Sequence, residues 1–505
     1  MFLVFEHPNG TSTTWTYGSF DVLVSRVGGY LAAHDVRAGS AVHLALTNSP
    51  TFVAVWLASL GSRASIIPSD PFATASELRG HLARTQPKVG FCSSTRATEY
   101  RIAAQGTSLV HVLEIDEIDE ADAELAVFGS GFARFDDLVA PELTDRAAVM
   151  FTSGTTGIPK GVEITQANYA FAGATMARAS GLEAHHRQLV VLPLFHANAQ
   201  YYSFASAIWV GASVALMSSF SASGFLAQAA RYQATHASLF AAPIRMILSR
   251  GSTPVPGVSL VNCWYAMNIS NTQLASMTEL LGCVPRQLYG MTETIPAVLT
   301  DRAQGPVASS MGFVTAGCEV EILRPDGSKA DIGEVGEIAV RGERGITLFS
   351  GYLDDPTTTS ASFRTTWFLT GDRASQDHHG RFYFDGRHSD VLKVSGENVS
   401  IVEVEQVLSS HPAVLEAAVV GRADEVLDEV PVAFVVAADA TSPPTLDELH
   451  RWCANRLTKS KRPRDITLVD ALPRTSVGKI RKFLLRDPEA ESAINREVSH
   501  DRSDR

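Results

Sequence analysis

Residues 152–161 read TSGTTGIPKG and follow directly on the apolar run Ala147-Ala-Val-Met-Phe151, and this junction constrains the fold more than any other stretch. Five apolar residues bounded by a Gly/Thr cluster predict a buried strand that runs into a loop. Gly154 and Gly157 permit positive φ, so successive backbone N–H groups can converge on one point and hold an anion. Thr152, Ser153, Thr155 and Thr156 add hydroxyl donors and Lys160 a compact positive charge, a mixture suited to the outer phosphates of a nucleotide. The spacing departs from the Walker pattern G-x-x-x-x-G-K-[ST], which the S-V-G-K run ending at Lys479 does not satisfy either. Taken alone, a Gly/Thr-rich loop is more often a surface turn. Its companions decide what it is.

A chain of 505 residues exceeds one ordinary core, so two or more domains are expected. With 45% hydrophobic and 19% charged residues it has the composition of a soluble globular protein. The net charge of −12 argues against a nucleic-acid footprint. Cys92, Cys263, Cys283, Cys318 and Cys453 form no C-x-x-C pair, which disfavours a disulfide framework or zinc site and fits a reducing, cytoplasmic setting. The opening MFLVFE lacks a basic n-region and is too short for a signal peptide or membrane span.

Along the chain, helical and strand patterns alternate, which predicts an α/β fold. Residues 21–34 and 51–60 carry helical spacing, 41–46 reads as a buried strand, and Ile66-Ile67-Pro68 closes another unit. From Glu114 to Glu124 stand seven acids and no base, read as a solvated loop. The run 189–195 reads as a strand ending at His196, and 239–243 and 260–268 as further strand-to-loop transitions, where open α/β sheets place ligand-contacting groups. Residues 287–293, QLYGMTE, combine an aromatic, a turn glycine, a hydroxyl and a carboxylate, the means for base stacking, phosphate contact and a magnesium ligand. From Val320 the texture turns to short β pieces, and after Asp390 a new unit begins, with helices at 402–410 and 446–457 and strands at 417–420 and 432–436. From Glu489 on, the chain is charged and apolar-poor, so a frayed tail is expected.

Five signals therefore stand in one order: TSGTTGIPKG at Thr152, PLFH ending at His196, YGMTE at 289–293, TGD ending at Asp372 and PRTSVGK ending at Lys479. Together they resemble the adenylate-forming superfamily of acyl-CoA synthetases, peptide-synthetase adenylation domains and luciferases. Within it, YAMNIS at 265–270, SGENVS at 395–400 and SSHP at 409–412 are most similar to the crotonobetaine/carnitine-CoA ligase branch. The resemblance implies a large N-terminal domain over 1–387, built of layered α/β subdomains plus a β-rich piece, a hinge at 388–390, and a small mobile α+β domain over 391–488. Residues 489–505 would be the tail. It also implies ATP, Mg²⁺ and coenzyme A as reactants and cofactors, and a small-molecule acid as substrate.

Under that resemblance Thr152, Ser153, Gly154, Thr155, Thr156, Gly157 and Lys160 hold the β- and γ-phosphates. Tyr289 packs on adenine, Thr292 bonds the α-phosphate, and Glu293 helps hold Mg²⁺. Asp372 accepts the ribose hydroxyls with Arg387 beside it. Lys479 bridges the attacking acid oxygen and the α-phosphate, so the protein supplies position and fixed charge and no covalent nucleophile. His196, Tyr201, Tyr202, Ala266, Met267, Asn268, Gly290 and Met291 border the acid pocket. After a domain rotation, Lys393, Ser395, Gly396 and Glu397 face coenzyme A.

Departures from the resemblance leave the acid open. Ala266-Met-Asn-Ile269 stands where many relatives carry G-G-A-P, which makes the wall between adenine and acid bulkier, and the hinge position is Ser389. Alternatives with the same adenylation replace coenzyme A by an amine or a carrier-protein thiol, or the acid by nitrite activated for diazotisation of an aryl amine. A non-catalytic nucleotide-binding protein that kept the fold is a further alternative, opposed by the presence of Lys479, Glu293 and Asp372 together. The missing G-x-S-x-G, and the missing K-T-G and S-D-N beside S-V-G-K, exclude α/β-hydrolase and penicillin-binding readings.

Overall fold

The strand into the loop forms because Ala147, Ala148 and Val149 are fully buried and pair with an equally apolar neighbour. The computed structural model describes residues 1–116, 128, 140–152, 159–303, 305–387, 390–394, 397–424, 427–474 and 480–486, though not the side chains of residues 393, 397, 398, 428 and 483. Arg146–Thr152 and Lys160–Thr165 run antiparallel, with Thr152 opposite Lys160. They belong to a seven-stranded sheet, continued in parallel by Ser65–Pro68, Ala41–Ala45, Val89–Ser93 and His111–Ile115. Glu114 is thus in a strand, bonded to Arg101 at 2.6 Å, and the acidic loop expected from there starts later. Residues 117–127 lie outside the described residues.

A second sheet carries the predicted ligand crevice. Leu3–Glu6, Ser213–Met217, Arg187–Val190, His236–Phe240, Asn262–Ala266 and Arg286–Tyr289 run parallel, so their C-terminal ends share one edge. Beyond Arg286–Tyr289 the same sheet turns antiparallel through Leu299–Thr300, Ser310–Val314, Phe382–Arg387, Trp367–Gln376, Gly336–Arg341 and Glu319–Leu323. The β-rich piece is therefore an extension of this sheet. One apolar cluster lies on the face shared with the seven-stranded sheet, including Trp56, Met150, Tyr201, Phe204 and Trp264, and another, with Leu189, Leu239 and Tyr265, on the far face.

Two expected strand ends are corrected. The strand before His196 stops at Val190, because Pro193 has no N–H to give a ladder. His236–Phe240 leads into a helix, Ala241–Ser249, and not into a loop.

The small domain packs Ile401–Ser409 and Leu446–Ala454 on a sheet of Val391–Val394, Glu397–Ser400, Val414–Asp424, Asp428–Ala437 and Asp465–Leu468. Capping boxes fix helix starts: Thr445 accepts from Glu448 N–H while the Glu448 carboxylate accepts from Thr445 N–H. No helix of the described residues is long and apolar enough to cross a membrane.

Candidate active site

The loop 289–293 spans two polar clusters. Tyr289 closes the strand Arg286–Tyr289, and its hydroxyl donates to Asp372 Oδ2 at 2.7 Å. Asp372 sits in the strand Trp367–Gln376, 3% exposed, and its Oδ1 accepts from Arg387 Nε at 2.6 Å. Strand pairing places Arg387 opposite Asp372, so the two meet by register alone. The charge of Asp372 holds the Arg387 guanidinium above its ordinary range. Both carboxylate oxygens are engaged yet keep further lone pairs, so the group can still accept from a sugar.

At the other end of the loop, Thr292–Thr294 form a short 3₁₀ turn. Glu293, 4% exposed, accepts from the Tyr352 hydroxyl at 3.0 Å, and Lys160 Nζ lies 4.7 Å above the Tyr352 ring. Burial pushes the Glu293 carboxyl up from the carboxylate range, while its own backbone N–H, Tyr352, Lys160 and Arg387 pull it back. A buried hard oxygen donor near the Lys160 ammonium could serve as one protein ligand of Mg²⁺, an ion that takes its other ligands from phosphates and water.

Thr152 and Lys160 face one another across the hairpin whose connection is the glycine loop. Arg84 secures its far flank, donating to the Pro159 carbonyl at 2.6 Å with its guanidinium over the Phe151 ring. Ser153, Gly154, Thr155, Thr156 and Gly157 lie outside the described residues.

On the acid side, Gly290 follows Tyr289 at the same strand end. A Cβ there would lie 2.9 Å from the Pro296 carbonyl oxygen and 3.0 Å from the Tyr202 hydroxyl, so a glycine is needed for this close approach. His196 is half-buried against Phe195, just ahead of a π-helical stretch, Asn198–Ala205. Tyr202 faces Gly290, whereas Tyr201 is fully buried between Met150 and Tyr169 and belongs to the core. Ala266 and Asn268 are half-buried, Met291 packs at the core margin, and Met267 is 43% exposed. Met267 and Ile295 hold φ of 72° and 68°, a costly conformation for non-glycine residues, on either side of this edge.

The small domain reaches this edge too. Arg474 and Ile480 pair as a β-bridge around the segment that carries Lys479, itself outside the described residues. Arg474 is ion-paired with Glu416. The same carboxylate lies 3.7 Å from Arg245, which donates across to the Asn268 carbonyl at 3.0 Å. On the side expected for the acceptor, Ser395 and Gly396 lie outside the described residues, and Lys393 and Glu397 are placed only by backbone, on the paired strands Val391–Val394 and Glu397–Ser400 with Lys393 opposite Asn398 and Glu397 opposite Val394.

Sequence reasoning missed Arg84, Tyr352, Arg245 and Glu416. Tyr352 alone left a signal, a Gly-Tyr pair in the β-rich piece; the others are single charged residues on regular elements.

Residues 2–353 match the family model "AMP-binding enzyme" and residues 403–479 the model "AMP-binding enzyme C-terminal domain". A crotonobetaine/carnitine-CoA ligase of Salmonella paratyphi A is 32% identical over 495 residues, covering 96% of this chain and 95% of the relative. Among solved structures, ATP-bound MatB from Rhodopseudomonas palustris superposes with a TM-score of 0.86 at 23% identity, covering 97% of this chain and 96% of that one. o-Succinylbenzoate CoA synthetase from Bacillus subtilis, in complex with its acyl-adenylate intermediate, gives 0.83 at 27% identity, covering 96% and 95%. This chain thus belongs to the AMP-binding enzyme family and is an AMP-forming ligase of the acid–CoA type.

Proposed function

We propose that the enzyme adenylates a small-molecule carboxylic acid with ATP and passes the acyl group to coenzyme A, with the site residues in the roles that follow. The observation that carries this reading is the span of loop 289–293. Its first residue bonds Asp372 beside Arg387, and its last bonds Tyr352 beneath Lys160. Four residue steps reach at most about 14 Å, the length scale of a nucleoside triphosphate. Tyr289 then packs on adenine, Asp372 and Arg387 hold the ribose, Thr292 bonds the α-phosphate, and Thr152 to Lys160 cradle the outer phosphates. Glu293 holds Mg²⁺, which when bound neutralises phosphate charge.

In the first half-reaction an acid carboxylate oxygen attacks the α-phosphorus, the bond to the bridging oxygen breaks, and pyrophosphate leaves with the electron pair. Lys479 steadies the charge on the α-phosphate as this happens. In the second, the coenzyme A sulfur attacks the acyl carbon, the thiol proton is lost and AMP leaves. The boundary at 388–390 is where the small domain would swivel, exchanging Lys479 for the segment Lys393 to Glu397.

Product analysis tests this. Incubation with ATP, Mg²⁺, coenzyme A and a panel of acids, followed by mass spectrometry, should give AMP, pyrophosphate and an acyl-CoA thioester. Formation of ADP and phosphate in their place would overturn the assignment, and adenylate without thioester would move the acceptor to an amine or a carrier thiol.

A further inference from the structure

The acid side of the site contains an unusual set of polar groups. Ser238 and Trp264 are register partners on neighbouring parallel strands, 4% and 2% exposed, and neither the Ser238 hydroxyl nor the Trp264 indole N–H has a hydrogen-bond partner among the described residues. Their sequence neighbours Ala237, Leu239, Cys263 and Tyr265 point into the far-face core. Strand alternation therefore turns Ser238 and Trp264 to the opposite face, where Trp264 joins the cluster of Tyr202 and Leu288.

The π-helical stretch Asn198–Ala205 packs over that face, with Gln188 of the strand Arg187–Val190 reaching the Tyr202 carbonyl at 3.4 Å. Asn198 is 6% exposed, and both ends of its amide are buried without a hydrogen-bond partner among the described residues. In a π-helix the i→i+5 bond widens the turn beyond four residues, so Asn198 and Tyr202 share one side. Gln200, on the other side, is satisfied by the Leu194 carbonyl at 2.6 Å and by Tyr169. The side that Asn198 shares is the one on which the Tyr202 hydroxyl meets Gly290. Burial pushes the Tyr202 phenol up, so it stays a neutral donor.

A buried polar group without a hydrogen-bond partner loses its contacts with water and gains nothing in return. Isolated cases occur elsewhere among the described residues, but here Asn198 and Tyr202 belong to the π-helical stretch, which begins two residues after His196 and meets Gly290 through the Tyr202 hydroxyl, and it packs over the paired strands that carry Ser238 and Trp264. All are neutral, and together they offer both donors and acceptors.

We propose that Asn198, Ser238, Trp264 and Tyr202 form the polar floor of the acid pocket, and that the acid carries an uncharged hydrogen-bonding substituent, a hydroxyl, carbonyl or amide, on its body beyond the carboxylate. This rests on the adenylating reading above. A bare alkyl or aryl acid leaves the floor unpaired, and a site built to bond a polar group rejects the analogue that lacks it far more strongly than an apolar pocket rejects an extra atom.

The test uses the full-length enzyme and acid pairs of four to eight carbons, plus benzoates, in which a methyl replaces a hydroxyl, oxo or carboxamide group at each position. AMP formation gives kcat/KM for each acid. The best polar acid should exceed its methyl partner by on the order of 10² to 10⁴. In Asn198→Leu and Ser238→Ala that ratio should fall at least about tenfold, a change in preference that a merely structural role would not produce. If methyl partners match or surpass polar acids throughout, or if the ratio is unmoved in both variants, the polar floor is refuted while adenylation stands. If no acid yields AMP, the adenylating reading fails and takes this inference with it.

Discussion

The two ends of the site are built on opposite principles. At the end proposed for the nucleotide the carboxylates are held by protein groups: Asp372 is bonded by Tyr289 and Arg387, and Glu293 by Tyr352, whose ring lies under Lys160. At the end proposed for the acid, Asn198, Ser238 and Trp264 are neutral, and their polar atoms have no hydrogen-bond partner among the described residues. Charged pairs hold their geometry before any ligand arrives and so set one binding mode. Neutral unpaired groups leave the last hydrogen bonds to the substrate, so the acid end can diverge while the nucleotide end is kept.

The largest effect should come from the charge that serves both ends. Lys479→Ala should leave ATP binding nearly intact, because Asp372, Lys160 and Glu293 lie on the large domain, and should slow adenylate formation by a factor on the order of 10² to 10³. Thioester formation from a supplied acyl-adenylate should be spared. Equal loss in both half-reactions would break the idea that the lysine serves only the first.

A smaller effect is expected from the nucleotide end alone. Asp372→Asn keeps the shape but removes the charge facing Arg387, and loss of one charge-assisted contact of about 1.5–3 kcal/mol should raise the KM for ATP roughly 10- to 100-fold. The ranking of acids should not change. If acid preference shifts together with ATP affinity, the two ends are coupled and the contrast fails.

What the sequence revealed follows the same contrast. The residues proposed for the nucleotide end stand out in the sequence because they cluster into short segments whose chemistry is local: Tyr289 and Glu293 four apart, Thr152 and Lys160 eight apart on either side of a Gly/Thr-rich stretch. Strand positions were legible from apolar runs, and the domain order from the change of texture after Asp390. The acid end was not. Ser238 and Trp264 are 26 positions apart and meet only through parallel register, and Asn198 gains its meaning from a π-helical turn that places it with Tyr202. Tyr201 was wrongly grouped with Tyr202 because adjacent tyrosines look alike in sequence, while the helix turns one to the core. The strand end before His196 was placed five residues late, since apolar character continues past Pro193 although hydrogen-bonding capacity does not.

The smallest effect should come from the joint between the ends. Glu416, 8% exposed on the small domain, faces Arg474 of its own domain and Arg245 of the large one, and Arg245 also holds the Asn268 carbonyl at the pocket edge. Burial pulls the Arg245 guanidinium down from its ordinary range, and the Glu416 charge opposes that shift, so removing the charge leaves two nearby arginines without compensation. Glu416→Gln preserves size and some hydrogen bonding, so the domain should fold. The arrangement that brings the Lys479 segment to the pocket should nevertheless lose stability by about 1–2 kcal/mol, which slows adenylation roughly tenfold and leaves thioester formation from supplied acyl-adenylate unchanged or faster. Arg245→Met should reproduce the split if the link across domains is what matters. If Glu416→Gln slows both half-reactions and Arg245→Met neither, the carboxylate acts only inside the small domain, on Arg474, and the two ends of the site are joined by Lys479 alone.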